Sequence, residues 1–159
     1  MLWRQSHPML RAVFALALLA APASPLARAA ETAALAGYAQ VEVSPSKTSI
    51  YIGMVSLVTP PLVRKAGSYE TSYRAKVFPY FFYNEAGGLS IDVSDEQLRT
   101  LARGEPIEFT GRGVREDGAE RRVEGKATPT DARSGKLKMR VFVSKKVELI
   151  FNTTYRFLP

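Results

Sequence analysis

The sequence predicts an all-β domain, mainly antiparallel, of about eight strands with one short α-helix. Three observations lead there. From residue 37 onward apolar residues recur with a period of two over most of the chain, the pattern of half-buried strands. Turn-forming pairs interrupt that alternation at short intervals. Only Ser94 to Gly104 switches to helical spacing. Strands joined mostly by short hairpins suit a small barrel, with a two-sheet sandwich as the alternative. The barrel is preferred because closure protects long strands from edge-to-edge pairing.

Strands are expected near 37–43, 48–58, 69–83, 88–93, 106–116, 120–128, 136–143 and 147–157. The turn signals between them are Ser44-Pro45, Pro60-Pro61, Gly67-Ser68, Gly87-Gly88, Asp117-Gly118 and Ser134-Gly135. For the helix, Ser94 and Gln97 stand at capping-box spacing, each able to satisfy the other's amide. Leu98, Leu101 and Ala102 follow on one face. Gly104 suits a left-handed C-terminal position, and Pro106 prevents continuation. A helix this short needs the sheet to support it.

Register is also legible near the C-terminus, because a slip of one residue exchanges the two faces of a strand. A three-residue loop, Asp117 to Ala119, sets Arg112 opposite Glu124 and Phe109 opposite Ala127. A loop at Ser144-Lys145-Lys146 sets Val141 opposite Leu149, Met139 opposite Phe151 and Leu137 opposite Thr153.

Residues 1–29 have the three parts of a secretory signal: Arg4 and Arg11, an apolar stretch Ala12–Ala21, and small residues at Ala27 and Ala29 flanking a cut after Ala29. The apolar stretch is too short to span a bilayer, which takes about 20 residues. The expected mature domain is residues 30–159, with 30–36 a loose leader and no internal repeat. Export to the periplasm or beyond follows, and insertion into the outer membrane as a small barrel is the minority alternative. Removing Arg4, Arg11 and Arg28 lowers the formal net charge from +7 to +4. Nucleic acid is not an expected partner in that compartment, whereas anionic lipid or an envelope polysaccharide is.

His7 is the only histidine and Trp3 the only tryptophan, both within the signal, and cysteine is absent. The mature domain therefore has no disulfide, no imidazole or thiolate metal ligand and no Ser-His or Cys-His nucleophile pair. Ser144-Lys145 has no motif around it. Glu108 and Glu124 lie near cations that favour their ionised form over a general acid. The reading is a non-enzymatic protein with no cofactor and no metal.

Three groups of residues are candidates for binding. Phe78, Tyr80, Phe81, Phe82 and Tyr83 crowd both faces of one predicted strand, as a ligand-lining wall or an exposed platform. Pro79 marks an edge or bulge there, and buried tyrosines need a polar rim for their hydroxyls. Gly111, Gly113 and Gly125 fall on the apolar face, under large side chains or as a cavity floor. Arg112, Arg122, Lys126, Lys136, Lys138 and Arg140 gather on the polar face as a candidate anion-binding surface. Together these predict a binding protein for an apolar, amphipathic or anionic envelope ligand of lipid-like character. The aromatics would supply contact and the cations attraction. The alternative is a structural or accessory envelope protein whose aromatic strand meets a protein partner. A ligand-sized apolar cavity favours the first; an open aromatic patch over a filled core favours the second. The sequence specifies no oligomeric state.

Overall fold

The computed structural model describes residues 35–159. The expected export segment 1–29, with Trp3 and His7, and the expected leader up to residue 34 lie outside the described residues. A 3-10 turn at Ala36–Tyr38 leads into β1 (Gln40–Val43), β2 (Ser46–Ile50), β3 (Gly53–Val58), β4 (Leu62–Lys65), β5 (Ser68–Phe78) and β6 (Glu85–Asp92). Helix α1 (Asp95–Ala102) follows, then β7 (Ile107–Arg115), β8 (Glu120–Pro129), β9 (Ser134–Ser144) and β10 (Val147–Leu158).

Every neighbouring pair is antiparallel, and the sheet closes on itself. Running β5-β4-β1-β10-β9-β8-β7-β6, the ring returns to β5 through the β5–β6 ladder. The result is an eight-strand barrel, as expected, rather than a sandwich. The β2–β3 hairpin is the addition: β3 pairs with the second half of β5, from Val58↔Arg74 to Met54↔Phe78, while β4 pairs with its first residues.

Three strand assignments change. The expected strand 48–58 is a hairpin turning at Tyr51-Ile52, with Ile50 opposite Gly53. Neither turn residue is a usual turn former, so the alternation reads straight through them. β4 is a strand the period did not resolve, because only four residues separate Pro61 from the next turn. The expected strand 69–83 stops at Phe78, where Pro79 has no N–H for a ladder.

Register follows the hydrophobic pattern. In β9–β10, Val141 faces Leu149, Met139 faces Phe151 and Leu137 faces Thr153, as predicted. In β7–β8, Arg112 faces Arg122 and Phe109 faces Gly125, two residues from the predicted pairing. The three-residue loop is Glu116–Gly118, with Gly118 at φ 85°, not Asp117–Ala119. A slip of two preserves the faces, so burial alone does not choose between these registers. The left-handed glycine does.

Side chains alternate inward and outward around the ring. Phe151, Val123, Met139, Tyr155 and Phe157 fill the interior, while the candidate cations lie outside. This order, apolar within and charged without, is the reverse of the lipid-facing pattern of a membrane-spanning barrel. Helix α1 stands at one end. Ser94 Oγ accepts from the Gln97 amide at 3.2 Å, and Gln97 Oε1 accepts from the Ser94 amide at 2.8 Å. Leu98 and Leu101 are buried, at 0% and 4% exposure, whereas Ala102, expected on the same face, is exposed. Arg64 ties the helix to β4, donating to Val93 O at 3.0 Å and pairing with Asp95 at 2.6 Å.

Candidate functional site

The barrel interior is nearly full. One cavity of about 80 Å³ lies above the helix, walled by residues such as Leu98, Ile91, Ala127, Leu137 and Phe157. A second, of about 40 Å³, lies toward the other end, near Tyr73 and Phe151. Pockets for small organic ligands run from about 300 to 1,000 Å³. Neither cavity holds an acyl chain.

The glycines match that filled core. A Cβ at Gly125 would fall 2.2 Å from Phe109 Cζ, and one at Gly111 2.6 Å from Ile91 Cδ1. At these two positions the missing side chain makes room for a neighbour rather than for a cavity floor. At Gly113 a Cβ would meet Arg121 Cβ at 3.4 Å and Tyr73 Cε1 at 3.5 Å, ordinary contacts.

Beside the smaller cavity sits a polar cluster that sequence reasoning missed. Glu85 Oε2 pairs with Arg121 at 3.2 Å and with Arg115 at 3.4 Å, and Tyr73 Oη donates to Glu85 Oε1 at 3.1 Å. Burial, with the Glu85 carboxylate beside it, pushes the Tyr73 hydroxyl up to about 12. The Arg121 Nε is buried without a partner, at a cost of about 1–3 kcal/mol. These residues are far apart in sequence and individually ordinary, so no linear signal marks them.

The aromatic segment is exposed. From Pro79 the chain leaves the sheet through a cis Phe78–Pro79 peptide and a 3-10 turn, Phe81–Tyr83, at the end of the barrel opposite α1. Exposures are 65% for Phe78, 39% for Tyr80, 64% for Phe81, 75% for Phe82 and 56% for Tyr83. The loop is nonetheless held. Asn84 Oδ1 accepts from the Val77 amide at 2.7 Å, and the Tyr83 amide donates to Tyr80 O at 3.0 Å. Phe78 and Phe81 meet edge to face at 6.0 Å, as do Tyr80 and Phe82 at 5.7 Å. Of the two placements expected for these aromatics, a ligand-lining wall or an exposed platform, the exposed one is found.

The β2–β3 turn extends this platform. Tyr51 is fully exposed and Ile52 and Met54 nearly half so; Met54 pairs with Phe78 across the ladder. Gly53 permits the approach, since a Cβ there would fall 2.0 Å from Phe78 O. One row further along the outer face, Lys47 and Lys76 flank Ser56, and Arg74 stands beside Val58. Next to them an open groove of about 920 Å³ crosses β3, β5, β6 and β7, floored by small residues at Ala86, Gly87 and Gly88. One sequence signal did point here: no Asp or Glu lies between Glu42 and Glu70, or between Glu70 and Glu85.

The six candidate cations do share the outer wall of β7–β9. Lys126 is opposite Lys138, and Lys136 lies one row further along β9. Arg112, Arg122 and Arg140 are spent in exposed pairs with Glu120, Glu124 and Glu148, at 3.5, 3.3 and 3.3 Å; such pairs contribute under about 1 kcal/mol each. An open groove of about 640 Å³ runs past Lys126, Lys138 and Arg140, but also past Glu108, Glu124 and Asp92, so its charge is mixed. In the ring β9 is four strands from β5 by either route. The aromatic platform and the cations of β9 thus face opposite ways, and no single small ligand bridges them.

No protein-family model, no curated protein and no solved structure matches this chain.

Proposed function

We propose that this chain is an exported, non-enzymatic β-barrel that binds an amphipathic component of the cell envelope on its outer surface, at the aromatic end. One observation carries the reading. Phe78, at the end of β5, and Phe81 and Phe82, on the loop braced by Asn84, are each more than 60% exposed, while the largest interior void among the described residues is only about 80 Å³. Large exposed apolar patches on a soluble fold mark interaction sites. Holding five aromatics in water on an ordered loop has a solvation cost that a partner relieves. The composition agrees, since the described residues contain neither His nor Cys to serve general-base or thiolate chemistry.

The test compares two surfaces in one assay. The protein is mixed with the envelope fraction of the cells that make it, and the fraction is sedimented. A Phe81→Ser, Phe82→Ser double variant should stay in the supernatant, while a Lys126→Gln, Lys136→Gln, Lys138→Gln variant should sediment like the parent. Both variants change exposed side chains, so their urea midpoints should match the parent's. Loss of binding in the lysine variant alone would move the function to the β7–β9 wall and refute this reading.

A further inference from the structure

Resting on the aromatic end as the binding surface, we propose that its partner is the headgroup layer of an anionic phospholipid bilayer, engaged from outside as a peripheral contact. The argument is one of shape and charge together. The apolar residues project into solvent from two turns at the same end of the barrel, Tyr51-Ile52 and Pro79–Tyr83. A tip of exposed Phe, Tyr and Ile side chains fits a soft interface, into which each ring can insert separately. Tyrosine rings suit the boundary between headgroups and chains, being apolar in body and polar at one end.

Charge makes the choice sharper. Lys47, Lys76 and Arg74 lie on the same outer face, one to two rows behind Met54 and Phe78. A row along a strand is roughly 7 Å, so with the tip at the headgroup–chain boundary these cations sit at phosphate level. Their flexible stems let the charged ends reach it. Among the described residues none of the three has an ion-pair partner, in contrast to Arg112, Arg122 and Arg140 on the opposite wall. Lys145 and Lys146, in the β9–β10 turn, stand at the same end of the barrel. Of the carboxylates at this end, Glu85, opposite Ala75, is taken up by Arg115 and Arg121, and Glu116 lines the far side of the adjoining groove. A protein partner of ordinary charge gains little from three cations that no ion pair occupies. A phosphate-bearing surface gains from all three, and the attraction is lost within a Debye length.

The experiment uses sedimentation with vesicles free of protein, either phosphatidylcholine alone or phosphatidylcholine mixed with phosphatidylglycerol. The protein should bind the mixed vesicles and leave the neutral ones, and release as salt rises from about 0.1 M to 1 M, where the Debye length shrinks from about 10 to 3 Å. Lys47→Gln, Arg74→Gln, Lys76→Gln should weaken binding about a hundredfold, since each cation near an anionic surface contributes roughly a factor of five. Phe81→Ser, Phe82→Ser should abolish it. Equal binding to both vesicle types, or a cation variant that binds as the parent does, overturns the proposal. If mixed vesicles fail while the envelope fraction still binds through Phe81 and Phe82, the aromatic end stands and the occupant is a protein. If vesicles bind regardless of Phe81 and Phe82, the aromatic end itself falls.

Discussion

Replacing Leu98 by alanine tests whether α1 truly stoppers the barrel. Leu98 is fully buried and lines the cavity of about 80 Å³. The substitution removes three carbons, worth about 2.4 kcal/mol at about 0.8 kcal/mol per buried methylene. It also enlarges the void toward about 150 Å³, the size at which a dry apolar cavity takes up benzene or xenon. At about 24 cal/mol per Å³, the added volume costs a further 1.7 kcal/mol or so. The expected loss is about 4 kcal/mol, a large share of the roughly 5–15 kcal/mol that holds a domain folded. For a chain of this length that lowers Tm by about 15 °C. Urea unfolding should show a lower midpoint with an unchanged slope. Saturating xenon or benzene should then stabilise the variant and not the parent, by binding only the folded form. A loss under about 1 kcal/mol would mean that α1 does not seal the interior. If a long-chain fatty acid stabilised the parent, the barrel would have to open to hold it, and binding at the outer surface would lose its main support.

Two further outcomes follow from the same core. Burial first of all raises the hydroxyls of Tyr69, Tyr73 and Tyr155 from 10.0 to about 12. A folded-state value above the unfolded one stabilises fully below pH 10 and is lost as pH climbs toward 12, so the urea midpoint should fall across that window, and these tyrosines should ionise only as the chain unfolds; simultaneous ionisation of all the tyrosines in a folded protein would contradict their burial. Gly125→Ala forces a Cβ into the Phe109 ring and to 2.8 Å from Lys138 O, costing about 1–3 kcal/mol as overpacking, and adding Phe109→Leu should relieve only the part due to the ring; an unchanged midpoint in the single variant would remove the steric account of that glycine.

Local signals carried the helix and the back of the barrel. The capping box at Ser94 and Gln97 is a short-range device, and its two hydrogen bonds form as the spacing implies. Strands β9 and β10 are long enough for alternation to set their register. The same period failed at Tyr51-Ile52, because a hairpin made without turn-forming residues leaves no mark in the alternation. Gly53 is the trace of it, and its reason lies in Phe78, distant in sequence. The aromatic run shows the opposite error. Its composition announced a binding element, but a strand buried on both faces and an exposed loop have the same composition.

By itself the sequence determined the class of fold, the place of the helix and the types of side chain available, because periodicity, caps and composition act within a few residues. Only the tertiary structure decided how much space the barrel encloses and which way the aromatics point. Interior volume depends on side chains from every strand meeting at once, as where Phe109 covers Gly125 and Leu98 enters from the helix. Direction depends on closure. Once β5 and β9 take opposite places in the ring, the aromatic platform and the Lys136–Arg140 row, which the sequence joined into one site, become two surfaces.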